Sequence, residues 1–375
     1  MALRRPATVK PLYWNSLPAK KSISATSKQT QPITHSNHAT KRENMKARAV
    51  ALKSRPVGMP KTDDFEIIEI DVPAPKDGEI QVKNVSMSVD PYMRGRMYDR
   101  KSYVPPFQIG EVLTGGCIGQ VTASAHPDFN EGDYVSSSWG WREAFTASTE
   151  GIERLGDIAA APSQYIGAIG MPGMTAYVGL LEVGALKDGE TVFVSGAAGA
   201  VGSIVGQIAK LKGCTVIGSA GSDDKAQLLK DELGFDYAFN YNDGSIVGHL
   251  KEAAPAGIDV YFDNVGAEHL QAAITCMRPN GRIPLCGAIA TYNDTEARPG
   301  PNNLSMAIGL GLTLRGFIVS NFAHMAPQFR ADMEKWVANG DVTTKETVYE
   351  GIDQAPDAFI GLFTGANTGK MIVNF

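Results

Sequence analysis

The sequence predicts an α/β chain in two parts, a doubly wound parallel sheet joined to a smaller all-β domain. Three observations carry that expectation. Between about Gly167 and Asn339, the strand-like runs "TVFVSG", "CTVIGSA", "YAFNY", "DVYFDNVG", "RIPLCGAI" and "LTLRGFIVS" alternate with helical patterns of about ten to fifteen residues. That rhythm is the mark of β–α–β units stacked into a parallel sheet. From Met45 to about Ile166 the texture differs, with short β-prone runs such as "FEIIEIDVPAP" and "GGCIGQVTAS" broken by Gly and Pro, as in a compact barrel or sandwich. The tail "TTKETVYEGIDQAPDAFIGLFTGANTGKMIVNF" reads as strand, helix, strand and is expected to rejoin the first part. The implied division is 1–44, then 45–167 together with 341–375, then 168–340.

Composition bounds the function. With 43% hydrophobic and 20% charged residues over 375 positions, the chain has the make-up of a globular protein with a sizeable core. No run approaches the roughly 18 apolar residues of a membrane span. Residues 1–42 hold eight basic side chains and no acid, so the remainder carries 27 basic against 40 acidic residues, a net of −13. A body that acidic is a poor partner for nucleic acid. The basic head is too polar to bury a core of its own and reads as a disordered or spurious extension, Met45 being a natural second start. An acid-poor mitochondrial transit peptide is the alternative; otherwise the expected compartment is the cytoplasm. The four cysteines, Cys117, Cys214, Cys276 and Cys286, form no C-x-x-C pair and suggest neither a disulfide framework nor a zinc ribbon.

The stretch "VFVSGAAGAVGSIVGQIAKLKG" at 192–213 carries the chemistry. A strand ends at Ser195, Gly196, Gly199 and Gly202 follow at G-x-x-G-x-x-G spacing, and a helix begins. Glycine there permits a tight turn, close approach of a pyrophosphate, and packing of helix on strand. The free N–H groups at the helix start favour the phosphates. This is a variant of the Rossmann dinucleotide fingerprint, with Ala198 in the middle of the usual G-x-G and Ala200 and Val201 completing the turn. The second strand ends "VIGSAGSDDK" with small residues where an NAD site places an acid, and Lys225 follows Ser222 into the next helix. A hydroxylated pocket with a lysine suits a 2′-phosphate, so NADPH is the expected cofactor.

The motifs "SVDPYMRGRM" (88–97), "GMPGMTAYVGLLEVG" (170–184), "SGAAGAVGSIVGQIAKLKGC" (195–214), "GSDDK" (221–225), "YFDNVG" (261–266), "RPNGRIPLCGAIATYN" (278–293), "RGFIV" (315–319) and "NTGKMIVNF" (367–375) occur in this order. From Met45 to Phe375 the chain thus resembles the zinc-independent medium-chain dehydrogenases/reductases, in the branch of prostaglandin, 2-alkenal and NADPH-dependent curcumin reductases. The resemblance implies a GroES-like β domain, a Rossmann domain, a site in the cleft between them, and a homodimer joined through the Rossmann domains, for which 312–320 offers an edge strand. It also implies that Lys225 and Tyr241 contact the 2′-phosphate and that Asn264 lies toward the ribose and nicotinamide. Met171 and Thr175 would line the nicotinamide pocket, Phe317 would offer backbone groups to the carboxamide, and Asn367 would close over the cofactor. Cys286 falls among these cofactor-side positions but reads as buried packing, with no base nearby to make it a thiolate.

A catalytic zinc needs about three Cys, His or carboxylate ligands. The first domain offers Cys117 and His126, with no Gly-His-Glu segment, so no metal is expected. Without a Lewis acid, hydride addition to the β-carbon of an α,β-unsaturated ketone or aldehyde makes chemical sense, with a hydroxyl stabilising the enolate oxygen. Tyr292, after "PLCGAIA", and Tyr92, in "DPYMR", are the candidate donors. Arg94 and Arg96 read as solvated or domain-bracing rather than as contacts to a substrate carboxylate. The rival readings are a quinone reductase of a sister zinc-free branch and a non-enzymatic NADPH-binding protein.

Overall fold

The computed structural model describes residues 44–375; apart from Asn44, the expectation for residues 1–44 lies outside the described residues. The apolar run Thr191–Val194 is the first strand of a six-stranded, all-parallel sheet. Its order is Tyr237–Asn240, Thr215–Ala220, Thr191–Val194, Ile258–Phe262, Met277–Leu285, Thr313–Gly316. Val192, Phe193, Val194, Val260, Tyr261 and Phe262 are completely buried, because helices cover both faces and the central strands have no solvent side. The strand order reverses between Thr191–Val194 and Ile258–Phe262. Ligands of such sheets bind at that reversal, beyond the carboxyl ends of the strands.

The helices between these strands, Gly202–Leu211, Asp223–Asp231, Ile246–Ala253 and Ala267–Cys276, are eight to ten residues long. That is shorter than the periodicity suggested, because capping residues take up part of each connection. Ser222 and Ser245 each accept a hydrogen bond from the backbone N–H three residues on, which satisfies a donor that the first helical turn leaves free.

The β domain is built on a seven-stranded sheet in the order Glu346–Glu350, Lys370–Asn374, Glu79–Ser88, Cys117–Ser124, Tyr134–Ser137, Glu153–Gly156, with Ala144–Ser148 also paired to Glu79–Ser88. An antiparallel ribbon of Met45–Leu52 and Phe65–Val72 packs beside it. The tail returns as strand, helix and strand, and Lys370–Asn374 pairs with Glu79–Ser88. Phe65, Trp141 and Phe359 form an aromatic nucleus with ring centroids 6.0–6.1 Å apart, which seats the tail helix Ala355–Thr364 on the ribbon.

The glycine turn shows why side chains are missing there. A Cβ on Gly202 would lie 2.5 Å from the Gly196 carbonyl oxygen and 2.8 Å from the Ala197 Cα. Both obstacles are backbone and cannot swing aside. Gly202→Ala should therefore lower stability by roughly 1–3 kcal/mol, read as a fall in the urea midpoint; an unchanged midpoint would show that helix and strand are not in contact there.

Candidate active site

One cleft of about 1420 Å³ runs along the carboxyl edge of the parallel sheet and into the β domain. It is larger than the roughly 300–1,000 Å³ of ordinary small-molecule pockets, with volume for a dinucleotide and a second small molecule. Its floor is the turn Gly196, Ala198, Gly199, Ala200, Val201 and Gly202. Gly369 of the tail lies on that turn, its N–H donating to the Ala198 carbonyl at 2.7 Å and its backbone bridging to Gly199.

At one end stand Ser222, Lys225 and Tyr241. The Ser222 hydroxyl accepts from the Lys225 N–H at 3.4 Å, and the Lys225 ammonium donates to the Gly365 carbonyl at 2.6 Å. Lys225 sits at the start of one helix and reaches the C-cap of another, whose exposed carbonyls favour a cation. Burial lowers its pKa from the ordinary lysine value. The pair of a hydroxyl and an ammonium, with no carboxylate on the ribose side at Ser219, Ala220 or Gly221, fits a 2′-phosphorylated dinucleotide.

Toward the other end, Asn264, Met171, Thr175, Phe317, Cys286 and Asn367 all line the cleft. Asn264 sits just past the strand Ile258–Phe262, its amide donating to the Ser195 carbonyl at 2.8 Å. The Thr175 hydroxyl donates to the Met171 carbonyl at 2.8 Å, and Asn367 donates to the Gly369 carbonyl at 2.9 Å. Burial pushes the Cys286 thiol up to about 12, so it is fully protonated at neutral pH and not a nucleophile.

Both candidate tyrosines face this end. The Tyr292 hydroxyl accepts the Ala288 N–H at 3.2 Å. With its oxygen engaged by a donor, its own proton is available to an acceptor in the cleft. Burial raises its pKa above the ordinary tyrosine value, partly opposed by the Ala288 N–H, so the hydroxyl stays neutral. Tyr92 is raised further, by burial first and then by the Asp90 carboxylate. Arg96 lines the cleft and donates to Thr114 at 2.9 Å, whereas Arg94 lies outside the lining, completely buried.

The two halves of the chain match known domains. The family model described as the N-terminal domain of oxidoreductase matches residues 48–155, and the one described as zinc-binding dehydrogenase matches residues 200–339. The chain is 40% identical to the NADPH-dependent curcumin reductase of Escherichia coli (strain K12), over 88% of this chain and 97% of that protein. It is 42% identical to the NADP(+)-dependent 2-alkenal reductase of Nicotiana tabacum, over 88% and 98%. The crystal structure of CurA in complex with NADPH from Vibrio vulnificus superposes with a TM-score of 0.84 at 43% identity, covering 87% of this chain and 98% of that one. The chain belongs to the medium-chain dehydrogenases/reductases. Within them it falls in the branch of curcumin, 2-alkenal and prostaglandin reductases. One matching description names zinc, yet among the described residues no three His, Cys, Asp or Glu side chains could share a metal ion.

Several residues in or just behind the cleft lining were not picked out from the sequence. Tyr103 lies at the mouth in the loop 98–110, 60% exposed and within electrostatic reach of Tyr292 and Cys286. Asp263, only 1% exposed, accepts from the N–H groups of Val265 and Gly266 and from the Tyr261 hydroxyl at 2.6–3.1 Å, and so fixes the turn that carries Asn264. Lys370 and Asp90 form a buried pair at 3.2 Å.

His269 is 4% exposed, packs edge-on against Tyr241 at 5.0 Å, and has a buried Nε2 with no partner among the described residues. Burial lowers its pKa from 6.5 to about 4. The unfolded chain therefore takes up this proton first, and the stability present above pH 6.5 is lost as pH falls toward 4. On the order of 3 kcal/mol rides on that group. His269→Leu should flatten the fall in urea-unfolding free energy between those values; parallel curves for the two proteins would show that the imidazole is not buried neutral.

Proposed function

We propose that this chain reduces the carbon–carbon double bond of α,β-unsaturated aldehydes and ketones with NADPH. The observation that carries the reading is the Tyr292 hydroxyl, held as an acceptor by the Ala288 N–H and protonated by its burial, in a cleft that also contains the dinucleotide seat. Relatives named curcumin, 2-alkenal, prostaglandin and (+)-pulegone reductase support it.

Gly196, Ala198, Gly199, Ala200, Val201 and Gly202 bring bare backbone to the pyrophosphate. Ser222, Lys225 and Tyr241 would hold the 2′-phosphate. Asn264, Met171, Thr175, Cys286 and Phe317 would shape the nicotinamide end, and Asn367 of the tail would contact the cofactor. Bound NADPH supplies the hydride that adds to the β-carbon. As charge moves onto the substrate's carbonyl oxygen, the Tyr292 proton meets it. A neutral donor already in place needs no reorganisation as that charge develops. Tyr92 is the second hydroxyl at this end, and the α-carbon takes its proton from water or from a tyrosine.

A homodimer is part of the proposal. Thr313–Gly316 is an edge of the parallel sheet, and Leu304, Met306 and Ile308 beside it are 51%, 38% and 85% exposed. A strand that pairs on one side only among the described residues, with exposed apolar side chains in the segment before it, suits a second copy.

Purified protein should consume NADPH with a medium-chain 2-alkenal and an aryl enone, giving the saturated carbonyl compounds, and should use NADH poorly. Lys225→Ala should remove most of the preference for NADPH. Tyr292→Phe should lower kcat by roughly a hundredfold with NADPH affinity unchanged. Turnover of a quinone alone would move the protein to the quinone reductases. Binding of NADPH without turnover of any acceptor would leave a binding protein.

A further inference from the structure

Tyr292 belongs to the nucleotide-binding half of the chain, yet its backbone is held from the other half. The Tyr98 hydroxyl donates to the Tyr292 carbonyl at 3.0 Å. Tyr98 in turn accepts from the Arg94 guanidinium at 2.9 Å, which also stacks on its ring at 4.1 Å. The same guanidinium donates through Nε to the Asn293 side-chain oxygen at 2.8 Å, across 199 positions of sequence. The Nη2 that meets Tyr98 also lies 2.9 Å from the Gly58 carbonyl and 3.2 Å from that of Pro56, sharing its two hydrogens among them, while the buried Nη1 has no hydrogen-bond partner among the described residues. The Asn293 amide meets the Met59 sulfur at 3.4 Å, so both ends of that side chain end on the β domain. Arg94 itself is completely buried and does not line the cleft, which removes it from direct contact with a substrate.

We infer that Arg94 is a positioning residue, which acts through Tyr98 and Asn293 to lock the 292–293 turn against the β domain and so sets the Tyr292 hydroxyl for the reaction. A buried cation with a rigid fork of donors suits this task, since each arm has a fixed direction and the Tyr98 hydroxyl it polarises becomes a stronger donor to the Tyr292 carbonyl. Seating of the two halves on each other and placement of the enolate donor are then one event. The inference rests on the reading of Tyr292 as that donor.

The test avoids Arg94, whose loss would leave buried carbonyls unpaired. Asn293→Ala and Tyr98→Phe each remove one arm. Each should lower kcat for an enone on the order of tenfold or more, with the dissociation constant for NADPH held within about twofold. Asn293→Asp, which still accepts from the guanidinium, should keep most of the activity. Unchanged kcat in Asn293→Ala, a matching loss of NADPH affinity, or failure of Asn293→Asp to rescue would each overturn the inference. A wild type that reduces no enone would sink the functional reading alone. The brace would then be judged in crystals of the Asn293→Ala protein, where the Tyr292 ring must be displaced if the inference holds and unmoved if it does not.

Discussion

One backbone hydrogen bond, from the Gly369 N–H to the Ala198 carbonyl at 2.7 Å, joins the two halves of the molecule at the point where a dinucleotide's phosphates would pass. On the tail side it depends on a residue without a side chain. Gly369 has φ +68°, and a Cβ there would stand 1.9 Å from the Lys345 carbonyl oxygen. Its partner belongs to the turn where Gly202 lies against Gly196. Much of the cleft follows from this contact. The next residue, Lys370, turns its ammonium inward to the Val89 and Met371 carbonyls and to Asp90, which fixes the strand entering the "DPYM" segment and hence Tyr92. A few residues earlier, Gly365 comes within reach of Lys225. A buried ion pair of this kind contributes little net stability, because desolvation offsets most of the attraction. Its effect here is on register.

Burial then sets the chemistry. Tyr292, Tyr92 and Cys286 are all shifted toward their neutral forms, chiefly because the cleft keeps water from them. For a hydroxyl proposed to give a hydrogen bond to a growing negative charge, neutrality is required, and the low local dielectric would strengthen the bond. For Cys286 the same shift has a different consequence. An enal alkylates thiolates, and a thiol held up to about 12 offers it almost none. One environment favours the reaction at the oxygen and suppresses the side reaction at sulfur.

The features legible in the sequence are those whose cause is local. The glycine turn, the Ser222 cap with Lys225 behind it, and the "YFDNVG" turn are each strand-to-helix connections whose chemistry fits within ten residues or so. The strand–helix alternation likewise announced the parallel sheet, although caps made the helices shorter than their periodicity implied. The tail's return was legible as a strand–helix–strand pattern, because strands need partners. Arg94 shows the limit: sequence suggested a domain brace among other roles, but Asn293 lies 199 positions away, and no periodicity pairs such residues. His269 was not singled out from the sequence, because its burial against Tyr241 depends on packing between the segments after two different strands. Tyr103 lies in the loop 98–110, and nothing local says which side chain of a loop turns toward the cleft.

The central claim is that this cleft delivers hydride to carbon beta to a carbonyl and not to the carbonyl carbon. The most direct measurement is the position of the label in the product formed from a 2-alkenal and NADPH deuterated at its transferable hydride, read by NMR. Deuterium is expected on the β-carbon of the saturated aldehyde, with the α-carbon protonated from solvent. Deuterium on the carbinol carbon of an allylic alcohol would contradict it, since the Tyr292 hydroxyl would then be serving a carbonyl reduction.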